Sequence, residues 1–553
     1  MTYCNPVNLD YRFQAEGWAK ECLREAADPS VVRYGGEYWL FASKSGGYWH
    51  SRDMKNWDFT ASRALPVEDY APDVSVIDGS VFCTASRLDR PCPIFRSRNP
   101  RGDEWERVSE PLPFWDPALF QDDDRRVYLY WGCSSREPIY GVEMDRETMR
   151  PLGERLPLIA ADPGNHGWER SGEDNTSSKA PWIEGAWMTK AGGVYYLQYA
   201  GPGTEFNIYA DGVYTSNSPL GPFEYAAHNP FSLKPRGFIK GAGHGSTFAD
   251  DYGNLWHVST MIICVKHKFE RRVGLFPAGI DRDGLMFCNT AFGDWPVRLA
   301  DKRWDSMTDP FAGMMLLSYG AGTAASSCLE CHAPSLAVDE DIRTYWAADP
   351  GDAEPELEID LGDTCEVRAV QVNFAEHACL QYERNGVGLA HRYRLSASAE
   401  GAGWNTVCDK SENRFDVPHD YVELEPAVKA RRLRLSILHM PGKGSAAVSG
   451  LRVFGTAPGK APPAVREVSA RRDPADERNA FVRWRENREA TGYHVFWGIA
   501  PDKLYNSVIV YGENENEVEI RSLNRGTDYY CAVEPFNRSG RGELTAVRPA
   551  ART

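Results

Sequence analysis

Short aromatic and apolar runs recur along the first part of the chain, each entered through a turn rich in Gly or Asp. The copies are Tyr34–Ser43 (YGGEYWLFAS), Ile77–Ser86 (IDGSVFCTAS), Asp123–Gly132 (DDRRVYLYWG), Ala191–Ala200 (AGGVYYLQYA) and Asp251–Thr260 (DYGNLWHVST). Gly-Gly and Asp-Gly supply the positive φ of a tight hairpin. The aromatic stretch that follows is strand material suited to packing between sheets. The copies start roughly 40–70 residues apart, the spacing of propeller blades with variable loops. They predict a five-bladed β-propeller in which each copy is the second strand of a blade.

After Ser318 the pattern becomes a strict alternation of apolar and polar residues, as in Glu356–Leu361, Val367–Phe374, Arg392–Ser396 and Arg431–Ile437. Period-two runs with loops between them predict a β-sandwich. Thr456–Ala464, rich in Pro, Gly and Ala, reads as a linker. Alternation resumes in Ala480–Trp484, Gly492–Trp497 and Leu523–Glu534. The fold class is therefore all-β, with a propeller over residues 1–316 and two sandwiches over 317–457 and 465–553.

Composition narrows the function. With 42% hydrophobic and 25% charged residues the chain is globular, and its length accommodates several domains. A net charge of −16 and the lack of a basic stripe argue against nucleic acid. No apolar run is long enough for a membrane span. The start, Met1–Pro6, shows no basic-then-apolar leader, which predicts a cytoplasmic protein, or a secreted one if the N-terminus has been trimmed. The 13 cysteines are odd in number and scattered, a poor disulfide framework. Cys328–His332 spells C-x-x-C-H, the haem-attachment string, but no distal ligand accompanies it, and it reads as two thiols near a domain start. The aromatic content of 12% suits β structure and also the stacking of rings on sugars.

The candidate chemistry lies upstream of each repeat, where one polar residue sits in apolar company. These segments are Ala27-Asp28-Pro29, Ala71-Pro72-Asp73, Trp115-Asp116-Pro117, Ile183-Glu184-Gly185 and His244-Gly245-Ser246. First strands of propeller blades line the central channel. Four carboxylates and one imidazole are thus expected to converge on one axis. Asp before Pro is commonly a turn former, whereas Glu184 among Trp182, Ile183 and Trp187 is costly to bury without a task.

These motifs, A-D-P-S-V at Asp28, W-D-P-A-L-F at Asp116, I-E-G-A-W at Glu184 and G-A-G-H-G-S-T-F at His244, resemble glycoside hydrolase family 43 over about residues 1–315. The resemblance implies an inverting mechanism with Asp28 as general base, Glu184 as general acid and Asp116 as the group that tunes and orients the acid. It places His244 near the channel centre beside a bound cation or water. Asp73, Trp115, Trp187, His244 and Arg272 are the expected substrate contacts. No cofactor is required, and a structural calcium met by His244 through water is the one ion this reading allows. The second unit resembles the discoidin (coagulation factor 5/8 C-type) fold and the third resembles fibronectin type III. The polar segment Ala161–Ser178 is expected to be a lid, a pocket wall or a solvated loop, and Ala200–Tyr209 a source of substrate contacts. The implied activity is exo-acting release of sugars from oligosaccharide or polysaccharide side chains, with β-xylosidase and α-L-arabinofuranosidase foremost. A β-galactosidase-type enzyme and a non-catalytic carbohydrate-binding propeller stay open.

Overall fold

A computed structural model of the chain describes all residues except 15–22, 67–69, 88–90, 380–388, 400–402, 513–514 and 552–553. Five antiparallel sheets succeed one another. Blade one comprises Ser30–Tyr34, Glu37–Phe41, Gly47–Ser51 and Asp58–Ala61. Blade two comprises Tyr70–Ile77, Ser80–Ser86, Phe95–Asn99 and Glu104–Arg107. Blade three comprises Ala118–Gln121, Val127–Trp131, Ile139–Met144 and Leu156–Ile159. Blade four comprises Glu184–Ala191, Val194–Gly201, Ala210–Ser216 and Glu224–Tyr225. Blade five comprises Lys240–Ala249, Leu255–Ile262, Arg271–Ile280 and Met286–Cys288. Each sequence repeat is the hairpin turn and second strand of its blade. The turn at Gly35–Gly36 has φ of 60° and 84°, which only glycine adopts freely.

The first strands touch in a closed ring, one to two through five and back to one. Two tiers of hydrogen bonds stitch the blades together. In the upper tier, the hydroxyl that ends one repeat accepts from a backbone N–H of the next blade: Ser43 from Ala71 (2.8 Å), Ser86 from Asp116 (2.7 Å) and Thr260 from Asp28 (2.8 Å). In the lower tier, Ser246 accepts from Val31 N (3.0 Å), Ser30 from Val74 N (2.8 Å) and Asp73 from Leu119 N (3.0 Å). The N-terminal hairpin Arg12–Gln14 and Leu23–Glu25 joins blade five through one parallel pair, Glu25 with Arg271.

Behind the propeller, one extended sheet contains the long strands Glu356–Phe374 and His419–His439 and folds around Trp346, Val370, Leu433 and Val453. The last module sets Ser469–Arg472, Ala480–Arg483 and Glu517–Ile520 against a second sheet centred on Gly492–Gly498 and Tyr530–Asn537. Its core, with Trp484 and Trp497, is continuous with that of blades three and four through Trp168. The first half of Ala161–Ser178 is therefore neither lid nor solvated loop. It is the dock for the last module: Gly167 N donates to Leu523 O (2.9 Å), and Arg170 binds Asp476 (3.0 Å), Asn479 (2.7 Å) and Arg521 O (2.6 Å). Among the described residues no helix is long and apolar enough to cross a membrane.

Candidate active site

At the channel end of every first strand one residue is left-handed: Asp28 (φ 51°), Ala71 (46°), Asp116 (50°), Gly185 (63°) and His244 (45°). This shared kink turns the side chains of Asp28, Asp116 and His244 toward one another. His244 Nδ1 lies 3.4 Å from Asp28 Oδ1 and 4.0 Å from Asp116 Oδ2. The expectation of five matching positions is corrected by the register. Glu184 precedes its blade's kinked residue by one, and Asp73 follows its own by two. Gly185 takes the kink in blade four because a Cβ there would lie 2.6 Å from the His244 ring.

Asp28 is buried beside Arg271, whose Nη1 is 3.0 Å from Oδ1, and Ser43 donates to Oδ2 at 2.6 Å. Burial alone would push this carboxyl up. Arg271, then His244, then the Ser43 and Thr260 hydroxyls more than offset it and hold Asp28 below the usual carboxylate range. Arg271 is itself anchored by Glu25 and donates to Thr204 (3.0 Å). Asp28 is thus an ionised carboxylate, the form in which it can take a proton from water.

Asp116 accepts from Ser86 Oγ at 2.9 Å and is as deeply buried, yet it is pushed up to about 7. Burial dominates; the nearby His244 lowers it, while Glu184 and Asp28 raise it further. Oxygens of Asp116 and Glu184 and the Cys133 sulfur all lie within 4.8 Å of one another. Glu184 accepts from Tyr209 Oη (2.6 Å) and from the Cys133 thiol (3.2 Å), itself held by Trp182 Nε1 (3.1 Å). Burial keeps both the Tyr209 phenol and the Cys133 thiol protonated, so both act as donors. A proton resting at Asp116 near neutral pH is therefore one short step from Glu184. His244 is raised despite its burial, because Asp28, Asp116, Glu184 and Asp211 surround it with negative charge.

Trp115 stands at the mouth, 37% exposed and 6.4 Å from the Tyr70 ring, in the place Glu184 takes in blade four. Of the other expected contacts, Asp73 and Trp187 line the small cavity beneath Asp28, Asp116 and His244, and Arg272 lies elsewhere. Asp73 is buried in the lower tier, where it does the work of Ser30 and Ser246 in accepting a backbone N–H. With one oxygen unpartnered, its burial pushes it up to about 8. Trp187 occupies the same tier and donates to Thr247 O (3.2 Å). Arg272 faces away because neighbouring strand residues point to opposite faces. It packs on the second module, where Nε donates to His419 Nε2 (2.8 Å), and its neighbour Arg271 is the site arginine. Tyr209 ends the stretch expected to supply contacts, Ala200–Tyr209, whereas sequence reading missed Cys133, Ser43, Ser86 and Thr260. For the three hydroxyls a signal existed: each closes a repeat.

The cavity under the trio of Asp28, Asp116 and His244 is about 20 Å³, room for one water-sized species.

The family model described as "Glycosyl hydrolases family 43" matches residues 23–286, and that described as "F5/8 type C domain" matches residues 322–451. The chain is 28% identical over 322 residues to "Beta-D-galactofuranosidase xynD" of Aspergillus niger, a match covering 47% of this chain and 84% of that protein. It is 26% identical over 277 residues to "Xylan 1,3-beta-xylosidase" of a Vibrio species, covering 42% of this chain and 47% of that protein. The chain thus spans about half the length of the latter relative. A solved structure titled "Glycoside hydrolase" aligns with a TM-score of 0.46 and 19% identity over 78% of this chain and 97% of that one.

Proposed function

We propose that this chain, a glycoside hydrolase by the family 43 domain it carries over residues 23–286, is an exo-acting, inverting enzyme that releases pentosyl units from oligosaccharide or polysaccharide side chains. Asp28 is the general base, Glu184 the general acid, and Asp116 keeps a proton beside the acid. One observation carries the reading: two carboxyls at matching positions are driven apart in acidity, Asp28 held below the usual range by Arg271 and Asp116 pushed up to about 7 by its burial. Acid–base hydrolysis needs one carboxyl to accept a proton and another to supply one. In the inverting geometry the base activates a water on the far side of the sugar from the acid, with about 6.5–9.5 Å between the two carboxyls.

The spacing of Asp116 and Glu184 favours a second reading. Within 4.8 Å, they are close enough for a retaining pair, which needs about 5 Å. Asp28, held below the usual carboxylate range beside Arg271, is the carboxylate suited to activating a water, which supports inversion. Aryl β-xylosides, α-L-arabinofuranosides, β-galactofuranosides and β-galactosides test the sugar. Proton NMR of the nascent product, before mutarotation, tests the stereochemistry. Inversion is expected; retention, or transfer to methanol, makes Asp116 a nucleophile. No turnover of any glycoside leaves a carbohydrate-binding propeller. The last module, three strands facing a larger sheet, supports a fibronectin type III-like dock held by Ala161–Ser178.

A further inference from the structure

We infer that the F5/8 type C module is a working part of the catalytic base: its Glu376 and Asp416 clamp the two strands that present Glu25 and Arg271 to Asp28. The inference rests on the base role proposed for Asp28. Leu23–Glu25 pairs with Arg12–Gln14 but joins Arg271–Ile280 through a single parallel pair, so few backbone bonds tie it to blade five. Alternation sends Glu25 and Arg271 to the site and Arg24 and Arg272 to the second module. There Asp416 takes Arg24 in a two-pronged pair (2.5 and 2.9 Å), the geometry that fixes a guanidinium most firmly. Glu376 bridges both strands, 2.6 Å from Arg24 Nε and 3.7 Å from Arg272 Nη2. Arg272 Nη1 also donates to Arg24 O (2.7 Å), tying one strand to the other.

The surroundings of the clamp are equally committed. His419 accepts from Arg272 and turns its Nδ1 to Asn373 Oδ1 (2.9 Å), so it is held as the neutral ring. His391 lies 3.3 Å from Asp416, and Lys266 donates to Glu376 O. All four ionic partners, Arg24, Arg272, Glu376 and Asp416, have nearly fully buried side chains. A guanidinium left without its carboxylate in such a place is driven to move. On the site face, the charged and polar groups around Asp28 are Arg271, His244, Asp116, Glu184, Tyr209, Ser43 and Thr260, with Glu25 behind Arg271 and Lys44 near Glu25. Of the groups that touch Asp28, Arg271 is the one whose strand the clamp holds. Glu376 and Asp416 are therefore positioning residues.

The test uses the full chain with Glu376→Gln and Asp416→Asn, singly and together. Glu423→Gln is the control, since its carboxylate pairs with Lys55 and Thr2 elsewhere on the same interface. Two readouts are taken: the Arg271–Asp28 contact in crystal structures, and the acidic limb of the kcat/KM profile. The double variant is expected to lose the contact and to move the limb up by about one pH unit, the effect of losing a nearby opposite charge. The control is expected to leave both in place. A lower Tm with contact and limb intact would show a clamp that only joins two modules, and the inference falls. Should the double variant not fold, Asp416→Asn alone gives the same readouts with a smaller shift. If the wild type cleaves no glycoside, the functional reading fails by itself, and the crystallographic contact still decides the clamp.

Discussion

Blades one and three present the same local device and obtain opposite chemistry from it. Asp28 and Asp116 each precede a proline, each sit at a left-handed φ near 50°, and each accept from the serine that closes a repeat. Both are 5% exposed. Yet Asp28 is held below the usual carboxylate range while Asp116 is pushed up to about 7. The blades themselves do not make the difference. Arg271 of blade five leans on Asp28, and Glu184 of blade four crowds Asp116. A repeated fold can thus place two side chains at matching positions, while the neighbours across the channel set their protonation.

Variants can break this contrast. Asp28→Asn has the largest expected effect, a loss of about a thousandfold or more in kcat/KM whatever the leaving group, because nothing else activates the water. Glu184→Gln should lose as much on a poor leaving group but recover much of it on an aryl glycoside that departs without protonation. Equal losses on both substrates would remove the acid role. Arg271→Met comes next. With its cation gone, burial dominates at Asp28, and the acidic limb of kcat/KM should rise by about 1–3 pH units. A limb that stays put would mean that Arg271 does not set the charge of the base.

Asp116→Asn imitates the protonated form and should cost about tenfold near neutral pH, far less than Asp28→Asn. Equal losses for the two at every pH would erase the contrast. The smallest effect is expected in the lower tier. Asp73, pushed from 3.8 up to about 8, binds its proton more tightly folded than unfolded. Its contribution to stability is fully present below about pH 4 and is lost as pH rises toward 8. Asp73→Asn keeps an acceptor for Leu119 N and removes this dependence. In urea unfolding the variant should gain on the wild type between pH 5 and pH 8.5, without a change in kcat. A constant difference across that range would contradict a buried, titrating carboxyl.

Much of this molecule was readable from near neighbours along the chain. Turn glycines, the aromatic repeats and the period-two runs are local properties, and they determined five blades, two sandwiches and the convergence of Asp28, Asp116, Glu184 and His244. Even the hydroxyls Ser43, Ser86 and Thr260 were marked, because each closes one of the repeats. Only the tertiary structure could choose Arg271 over Arg272, since the two differ by which face of one strand meets blade one and which meets the second module. It also decided that Asp73 belongs to the stitching between blades and that Ala161–Ser178 docks the last module. Each of these outcomes depends on partners distant in sequence, such as Arg271 for Asp28 or Asp476 for Arg170. Periodicity says which residues share a face, but charge and contact are decided by what packs against that face.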